Sequence, residues 1–289
     1  MSFSLPSALQ EACESAIGAP VTRVQAVGGG DINEARRLES NAGAFFLKLN
    51  DLPQAADMLR TEARGLSLLA DAGAIRTPRV IHQGESGGYA YLLLKFIEPG
   101  RRTADFWEQF GRTLADLHRE PQEYFGLPFD NYIGSLPQYN GRYEDFPIFY
   151  IEKRLQPQLE MALRDSLLNR ADARHMEALY TRLDELLPVE PPALVHGDLW
   201  GGNFLVDSKD RAVLIDPAAA YAHREMDLGM SRLFGGFDAQ FYAAYQAAYP
   251  MENGWEDRME IYQLYYLLVH VNLFGKGYVE SVRRIINRY

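Results

Sequence analysis

His196-Gly-Asp198-Leu-Trp-Gly-Gly-Asn203, followed by the apolar run Ala212-Val-Leu-Ile-Asp216, decides how this chain is read. Asn203 stands five residues after Asp198, and Asp216 stands eighteen after it at the end of a strand. That order of two carboxylates and one amide suits phosphoryl transfer. One carboxylate accepts a hydrogen bond from an attacking hydroxyl. The amide and the other carboxylate offer hard oxygens to Mg²⁺ held against a triphosphate. His-Gly-Asp alone would be an ordinary polar turn, and Asp216 alone a strand-end cap. The full string with its following strand is more specific than either.

Such a site needs further parts upstream. Val24-Gln-Ala-Val-Gly28-Gly29-Gly30-Asp31-Ile-Asn33 reads as a strand and a glycine turn, with a second strand running through Arg37-Leu-Glu-Ser. Gly28, Gly29 and Gly30 let main-chain N–H groups approach phosphate oxygens, although a glycine run between strands is also an ordinary hairpin. Ala44-Phe-Phe-Leu-Lys48-Leu is a β-prone run with one embedded charge. In the helix expected over Ala55–Ala70, Met58, Glu62, Leu66 and Leu69 share one face. A carboxylate in that stripe is costly unless paired. Lys48 on the preceding strand is its natural partner, and the pair would aim the lysine at the α- and β-phosphates. Tyr89-Ala-Tyr-Leu-Leu-Leu-Lys95-Phe-Ile97-Glu98-Pro-Gly is an apolar strand entering a turn. Main-chain groups near Lys95 and Ile97 are candidates for an adenine edge, a role compatible with a plain core strand.

The chain resembles the fructosamine-3-kinase (ketosamine-3-kinase) family, within the broader aminoglycoside-phosphotransferase-like kinases, over nearly its whole length. Besides the glycine turn and His196–Asn203, the resemblance rests on several strings. They are Phe110-Gly-Arg-Thr-Leu-Ala-Asp-Leu-His118-Arg, Asn131-Tyr-Ile-Gly134, Gln138-Tyr-Asn140, Asp216-Pro-Ala and His223-Arg-Glu-Met-Asp227-Leu, then Leu233-Phe-Gly-Gly-Phe237, Tyr262-Gln-Leu-Tyr265 and Asn272-Leu-Phe-Gly275. Departures occur at Gly201, where Ser is usual, at Arg142 and Phe146, where Trp is expected, and at Ala222, where Gly is usual. Tyr266 and Val269 stand where His and Asn are common.

The resemblance implies an α+β, bilobal protein-kinase-like fold with a small β-sheet-plus-helix N-lobe over residues 1–97. A larger, mostly helical C-lobe over 98–289 would follow, with a candidate hinge at Glu98-Pro-Gly100. The first 94 residues read as a helix over Ser4–Ile17, three strands, the Glu62 helix and two strands. Phe106–His118 is a helix, 121–147 an ordered loop near the acceptor, Ile151–Leu187 helical, and Asp238–Tyr289 helical and Tyr-rich. That Tyr stripe reads as core packing more than as a sugar-stacking wall. His118 reads as a complement to its helix's C-terminal dipole.

The implied activity is ATP- and Mg²⁺-dependent phosphorylation of a hydroxyl, by resemblance the 3-hydroxyl of a ketosamine, free or on a glycated protein lysine, in deglycation repair. Asp198 would be the base, and Asn203 and Asp216 the metal ligands. Trp200 would stack on the acceptor, while His196 and Asp227 would brace the catalytic loop. The alternatives are an aminoglycoside- or choline-type kinase and a nucleotide-binding pseudokinase scaffold.

Composition sets bounds on these readings. With 289 residues, 47% of them hydrophobic, the chain can bury a sizeable core or two. A net charge of −10 opposes general binding to nucleic acid or anionic membranes. Cys13, the single cysteine, suits a reducing cytoplasm and precludes an intrachain disulfide. No basic-then-apolar leader opens the sequence, and Ile261–Phe274 is too short and too interrupted to span a bilayer.

Overall fold

The computed structural model describes residues 5–28 and 33–289. The chain runs α1 (Ser7–Ile17), β1 (Val21–Ala26), β2 (Glu34–Ser40), β3 (Gly43–Asn50), α2 (Ala55–Asp71), β4 (Val80–Ser86) and β5 (Tyr89–Lys95). Next come α3 (Phe106–Leu117), β6 (Asn131–Ile133), β7 (Leu136–Gln138), α4 (Phe146–Tyr150), α5 (Gln156–Arg164), α6 (Arg170–Tyr180) and α7 (Leu183–Leu186). Four short strands follow, β8 (Ala193–Val195), β9 (Phe204–Val206), β10 (Ala212–Leu214) and β11 (Ala220–Ala222). The last helices are α8 (Glu225–Leu233), α9 (Ala239–Ala248), α10 (Trp255–Phe274) and α11 (Val279–Ile286).

Two compact units result: residues 1–103 with 205–216, and residues 104–204 with 217–289. This division differs from a single cut between residues 97 and 98, since residues 98–103 and the β9–β10 segment 205–216 belong to the first unit. Main-chain pairing explains both points. Leu214 donates its N–H to the Arg76 carbonyl at 2.8 Å, and Gly100 donates to Val206 at 2.7 Å. Thr103 donates its N–H to Asp210.

In the first unit a five-stranded sheet of order β1-β2-β3-β5-β4 is antiparallel throughout. Alternation along β3 and β5 sends Phe45, Leu47, Leu49, Tyr91 and Leu93 to the face covered by Leu9 and Cys13 of α1. Phe46, Ala90, Leu92 and Leu94 go to the other face, under Leu59, Ala63 and Leu66 of α2. Lys48 has the parity of Phe46, so the pleat delivers its side chain to the α2 face.

The second unit is mostly helical. Its core is built around α10, where Ile261, Leu264, Leu268 and Val271 are fully buried. A helix buried nearly all round belongs inside a core. Tyr262, Tyr265 and Tyr266 are equally buried and pack in that core. Among the described residues, no helix is long and apolar enough to cross a membrane.

The helical expectation over Ile151–Leu187 needs correction. A π-turn occupies Ile151–Leu155, and the helix stops after Arg164. Asn169 restarts it with a reciprocal capping box to Asp172. The segment 121–147, read as loop, contains the β6–β7 hairpin, which turns through Gly134 and Ser135 with Ile133 opposite Leu136.

Candidate active site

The first unit carries a lysine held by two carboxylates. Lys48 Nζ donates to Glu62 Oε1 at 2.7 Å and to Asp216 Oδ1 at 2.5 Å. Lys48 is 7% exposed. Burial opposes its charge, but the Glu62 and Asp216 carboxylates outweigh that and raise its pKa above the ordinary lysine range. Burial pushes Glu62 upward, and Lys48 opposes the rise. The Asp216 side chain is 45% exposed.

Asp216 lies two residues beyond β10 and has φ 55°. That left-handed conformation is uncommon outside glycine, although Asp adopts it more readily than most residues. It costs of order 1–3 kcal/mol and persists where the surroundings over-determine it. Lys48 on one side and the β10 pairing on the other supply such constraints.

Gly28 lies two residues beyond β1, just past Val27, whose N–H donates to the Ala35 carbonyl. A side chain built on Gly28 would meet nothing within 4 Å. Gly29 and Gly30 lie outside the described residues. The Lys95 N–H donates to the Arg79 carbonyl at 2.8 Å. Its ammonium reaches the Ala42 carbonyl and lies 4.3 Å from the Phe45 ring centre. Ile97 lies two residues beyond the end of β5.

The second unit carries the catalytic-loop candidate between β8 and β9. Asp227, third residue of α8, is fully buried and accepts the His196 N–H at 2.7 Å and the Gly197 N–H at 2.8 Å. His118 Nε2 lies 3.2 Å from Asp227 Oδ2, and His118 Nδ1 lies 2.8 Å from the Tyr245 hydroxyl. A dipole role at the end of α3 therefore understates His118, which orients the carboxylate that holds the loop. His196 is buried, and its Nδ1 receives the Asp198 N–H at 3.2 Å.

Gly197 has φ 82°, and a Cβ there would stand 2.0 Å from the Ala218 carbonyl oxygen. Only glycine fits this position. Asn203 Nδ2 donates to Asp198 Oδ2 at 2.8 Å and to the Asp198 carbonyl at 2.9 Å. The turn closes with the Asn203 N–H on the Trp200 carbonyl at 3.0 Å. Trp200 is 41% exposed, and its indole covers Gly202, where a Cβ would meet the ring at 2.3 Å.

The donor chemistry fits a hard cation. Asp216 offers a carboxylate and Asn203 an amide oxygen, the ligand types that Mg²⁺ takes alongside substrate phosphates and water. Among the described residues, no group of three or more His, Cys, Asp or Glu side chains forms a dedicated metal cage. A metal bound through few protein ligands requires none.

An antiparallel sheet with a lysine–glutamate pair, followed by a mostly helical unit with an Asp-bearing loop, is a protein-kinase-like fold. Residues 6–289 match the family model for fructosamine kinase, and the chain belongs to that family. A protein-ribulosamine 3-kinase of Arabidopsis thaliana chloroplasts is 39% identical over 93% of this chain and 83% of its own. A Lactiplantibacillus plantarum protein with ketoamine kinase as its assigned activity is 40% identical over 93% and 95%. A solved structure from Thermobifida fusca, assigned as a fructosamine-3-kinase, superposes with TM-score 0.89 at 34% identity, covering 99% of this chain and 100% of that one.

Proposed function

We propose that this chain transfers the γ-phosphoryl group of Mg·ATP to the 3-hydroxyl of a ketosamine, either free or borne on a glycated protein lysine, within the cytoplasm. The observation that carries the reading is the support of Asp198. Asn203 fixes its carboxylate, while Asp227 fixes the main chain just before it. A carboxylate oriented from two directions suits a base that must meet one hydroxyl.

Asp198 accepts the hydroxyl proton as the new O–P bond forms and the bond to the bridging oxygen of ADP breaks. Lys48, oriented by Glu62, holds the α- and β-phosphates. Gly28, Gly29 and Gly30 cover phosphate oxygens with main-chain N–H groups. Ile97 and the carbonyl of Lys95 serve the adenine edge, since the Lys95 N–H is already donated to Arg79. Asn203 and Asp216 would hold Mg²⁺, which would supply positive charge against the charge that develops on the phosphates. Trp200 offers an aromatic face to the acceptor. Phosphorylation at the 3-position destabilises the sugar–amine adduct, so the activity serves deglycation repair.

A panel of acceptors incubated with Mg·ATP and read by the mass gain of one phosphate tests the substrate. Fructosyl- or ribulosyl-lysine should be preferred over free fructose, choline and kanamycin. Choline or kanamycin turned over as well would overturn the ketosamine reading and leave a kinase. Asp198→Asn is the control, with a loss of at least about 10²–10⁴-fold expected for a positioned base. Near-normal turnover in that variant would remove Asp198 from the chemistry.

A further inference from the structure

Two strings, Asn131-Tyr-Ile-Gly134 and Gln138-Tyr-Asn140, have no part in the phosphoryl-transfer roles assigned above. The β6–β7 register sets Asn131 directly opposite Gln138. Asn131, Gln138 and Asn140 are nonetheless buried, at 4%, 2% and 4% exposure. Buried amides are costly unless hydrogen-bonded, and a hairpin could be closed with apolar side chains. These amides are therefore informative through their partners.

Gln138 Nε2 donates to Asn131 Oδ1 and to the Ala218 carbonyl, both at 2.9 Å. Asn131 Nδ2 donates to the Ala219 carbonyl at 2.9 Å. Gln138 Oε1 accepts from the Tyr265 hydroxyl of α10 at 2.8 Å. Asn140 Nδ2 donates to Asn131 Oδ1 at 3.0 Å, and Arg154 donates to Asn140 Oδ1 at 3.1 Å. The bonds of Asn131 and Gln138 thus tie the hairpin to the carbonyls of residues 218 and 219 and to Tyr265.

The Ala218 carbonyl is also the atom on which Gly197 rests, as the 2.0 Å clash of a built Cβ shows. Gly197 gives its N–H to Asp227. The residue before Asp198 is thus held through its N–H by Asp227 and packed against a carbonyl that Gln138 fixes. Burial raises the Tyr265 pKa, Arg154 offsets part of the rise, and the Asp198 carboxylate adds to it. The relay accordingly ends within electrostatic reach of the proposed base.

We propose that Gln138, supported by Tyr265 and Asn131, is a positioning residue for phosphoryl transfer, acting through the Ala218 carbonyl to set the placement of Gly197 and Asp198. This rests on reading Asp198 as the base. Displacement of a reacting group by about 1 Å can cost 10²-fold in rate, so a shifted carbonyl packed against Gly197 has kinetic leverage without touching substrate.

Gln138→Met keeps the side-chain length and removes all three hydrogen bonds, while Tyr265→Phe removes a single hydroxyl. At a temperature where both variants are folded, kcat should fall about 10-fold or more in the first and about 3-fold in the second. KM for ATP and for the acceptor should stay within about 2-fold, because a positioning loss is expressed in the transition state. The double variant should be no slower than Gln138→Met alone, since both changes act through one carbonyl. Should Gln138→Met fail to fold, Tyr265→Phe still carries the kcat and KM comparison. Normal kcat with only a lowered Tm would reduce the relay to structural bracing and overturn the proposal. If Asp198→Asn is inactive while both relay variants are normal, only the relay falls; an active Asp198→Asn would remove the base reading itself.

Discussion

Lys48 Nζ lies 2.5 Å from Asp216 Oδ1, across 168 residues of sequence, while the same ammonium holds Glu62 at 2.7 Å. One cation thus organises a helix carboxylate and the proposed metal ligand. Lys48 is assigned to phosphate and Asp216 to the metal. Lys48→Met and Glu62→Gln should therefore be strongly non-additive in turnover, since either change disables one phosphate grip. Asp216→Ala should weaken Mg·ATP affinity as well as rate. A double-mutant cycle and a nucleotide titration measure both effects. Additive losses would separate Lys48 from Glu62 functionally, and an unchanged nucleotide affinity would take Asp216 out of the metal shell.

Asp227 presents a second quantitative case. Its buried carboxylate accepts two loop N–H groups and faces His118. Asp227→Asn keeps the shape but turns an N–H donor toward one of those partners. Hydrogen bonds to charged groups contribute about 1.5–3 kcal/mol each, so a loss of at least about that size is expected. The urea midpoint should fall at constant m-value, and kcat should fall with it. A variant with wild-type stability would mean that the loop holds its conformation unaided.

How much of this was legible depends on sequence distance and on what competes for each signal. The Lys48–Glu62 pair could be read because strand parity and the stripe on α2 both point there, fourteen residues apart. The Lys48–Asp216 contact could not, since no local pattern links β3 to the segment just after β10, 168 residues on. His118 looked like a helix-end charge because its partner, Asp227, is 109 residues away. The helix break before Asn169 did leave a trace, the Asn169–Asp172 spacing of a capping box, which the apolar periodicity around it obscured. The departures from the family pattern mostly fall in packed positions. Tyr266, Val269, Ala222 and Phe146 are buried, and Phe146 stacks 3.6 Å from His223. Arg142 lies 5.6 Å from the Tyr124 ring centre.

His223 makes acid stability a test of burial. Its ring is buried, bonded to the Tyr262 hydroxyl at 2.9 Å. Burial first, then the Arg258 and Arg224 charges, push its pKa down from 6.5 to about 3. Between those values the unfolded chain binds a proton that the folded chain does not. Stability is therefore intact above pH 6.5 and declines as the pH falls, by about 1.4 kcal/mol per unit from this group. Unfolding free energies measured from pH 7 to pH 4 should show that slope reduced by one proton in His223→Gln. An identical slope in the variant would assign the acid sensitivity to other groups.

Cys13 should be inert. It is fully buried in α1 against the sheet, and burial, with a smaller contribution from Glu14, raises its thiol to about 12. The thiolate is the reactive species, so mild thiol oxidants should leave native activity unchanged. An aromatic disulfide reagent should titrate no thiol in the folded chain and one after unfolding. Rapid labelling of the native protein would show that α1 opens readily.

The acceptor wall can be tested through a glycine. Trp200 keeps its indole across Gly202, and no side chain fits between them, because a Cβ at 202 would stand 2.3 Å from the ring. Trp200 is 41% exposed, so aromatic surface is available on the loop that carries Asp198. If that surface stacks on the sugar or amine-bearing part of the acceptor, two different changes should give one signature. Trp200→Ala deletes the ring, and Gly202→Ala displaces it while keeping it in the sequence. Stacking on an aromatic face and its cation–π component contribute about 0.5–2 kcal/mol, equivalent to roughly 2- to 30-fold in affinity. Acceptor KM should rise by that order in both variants, with the KM for ATP nearly constant. Asn203 directly follows Gly202, so a coincident rise in KM for Mg·ATP would trace the effect to the metal ligand. Trp200→Ala then becomes the deciding variant. An acceptor KM unchanged in Trp200→Ala would confine the indole to packing over the loop.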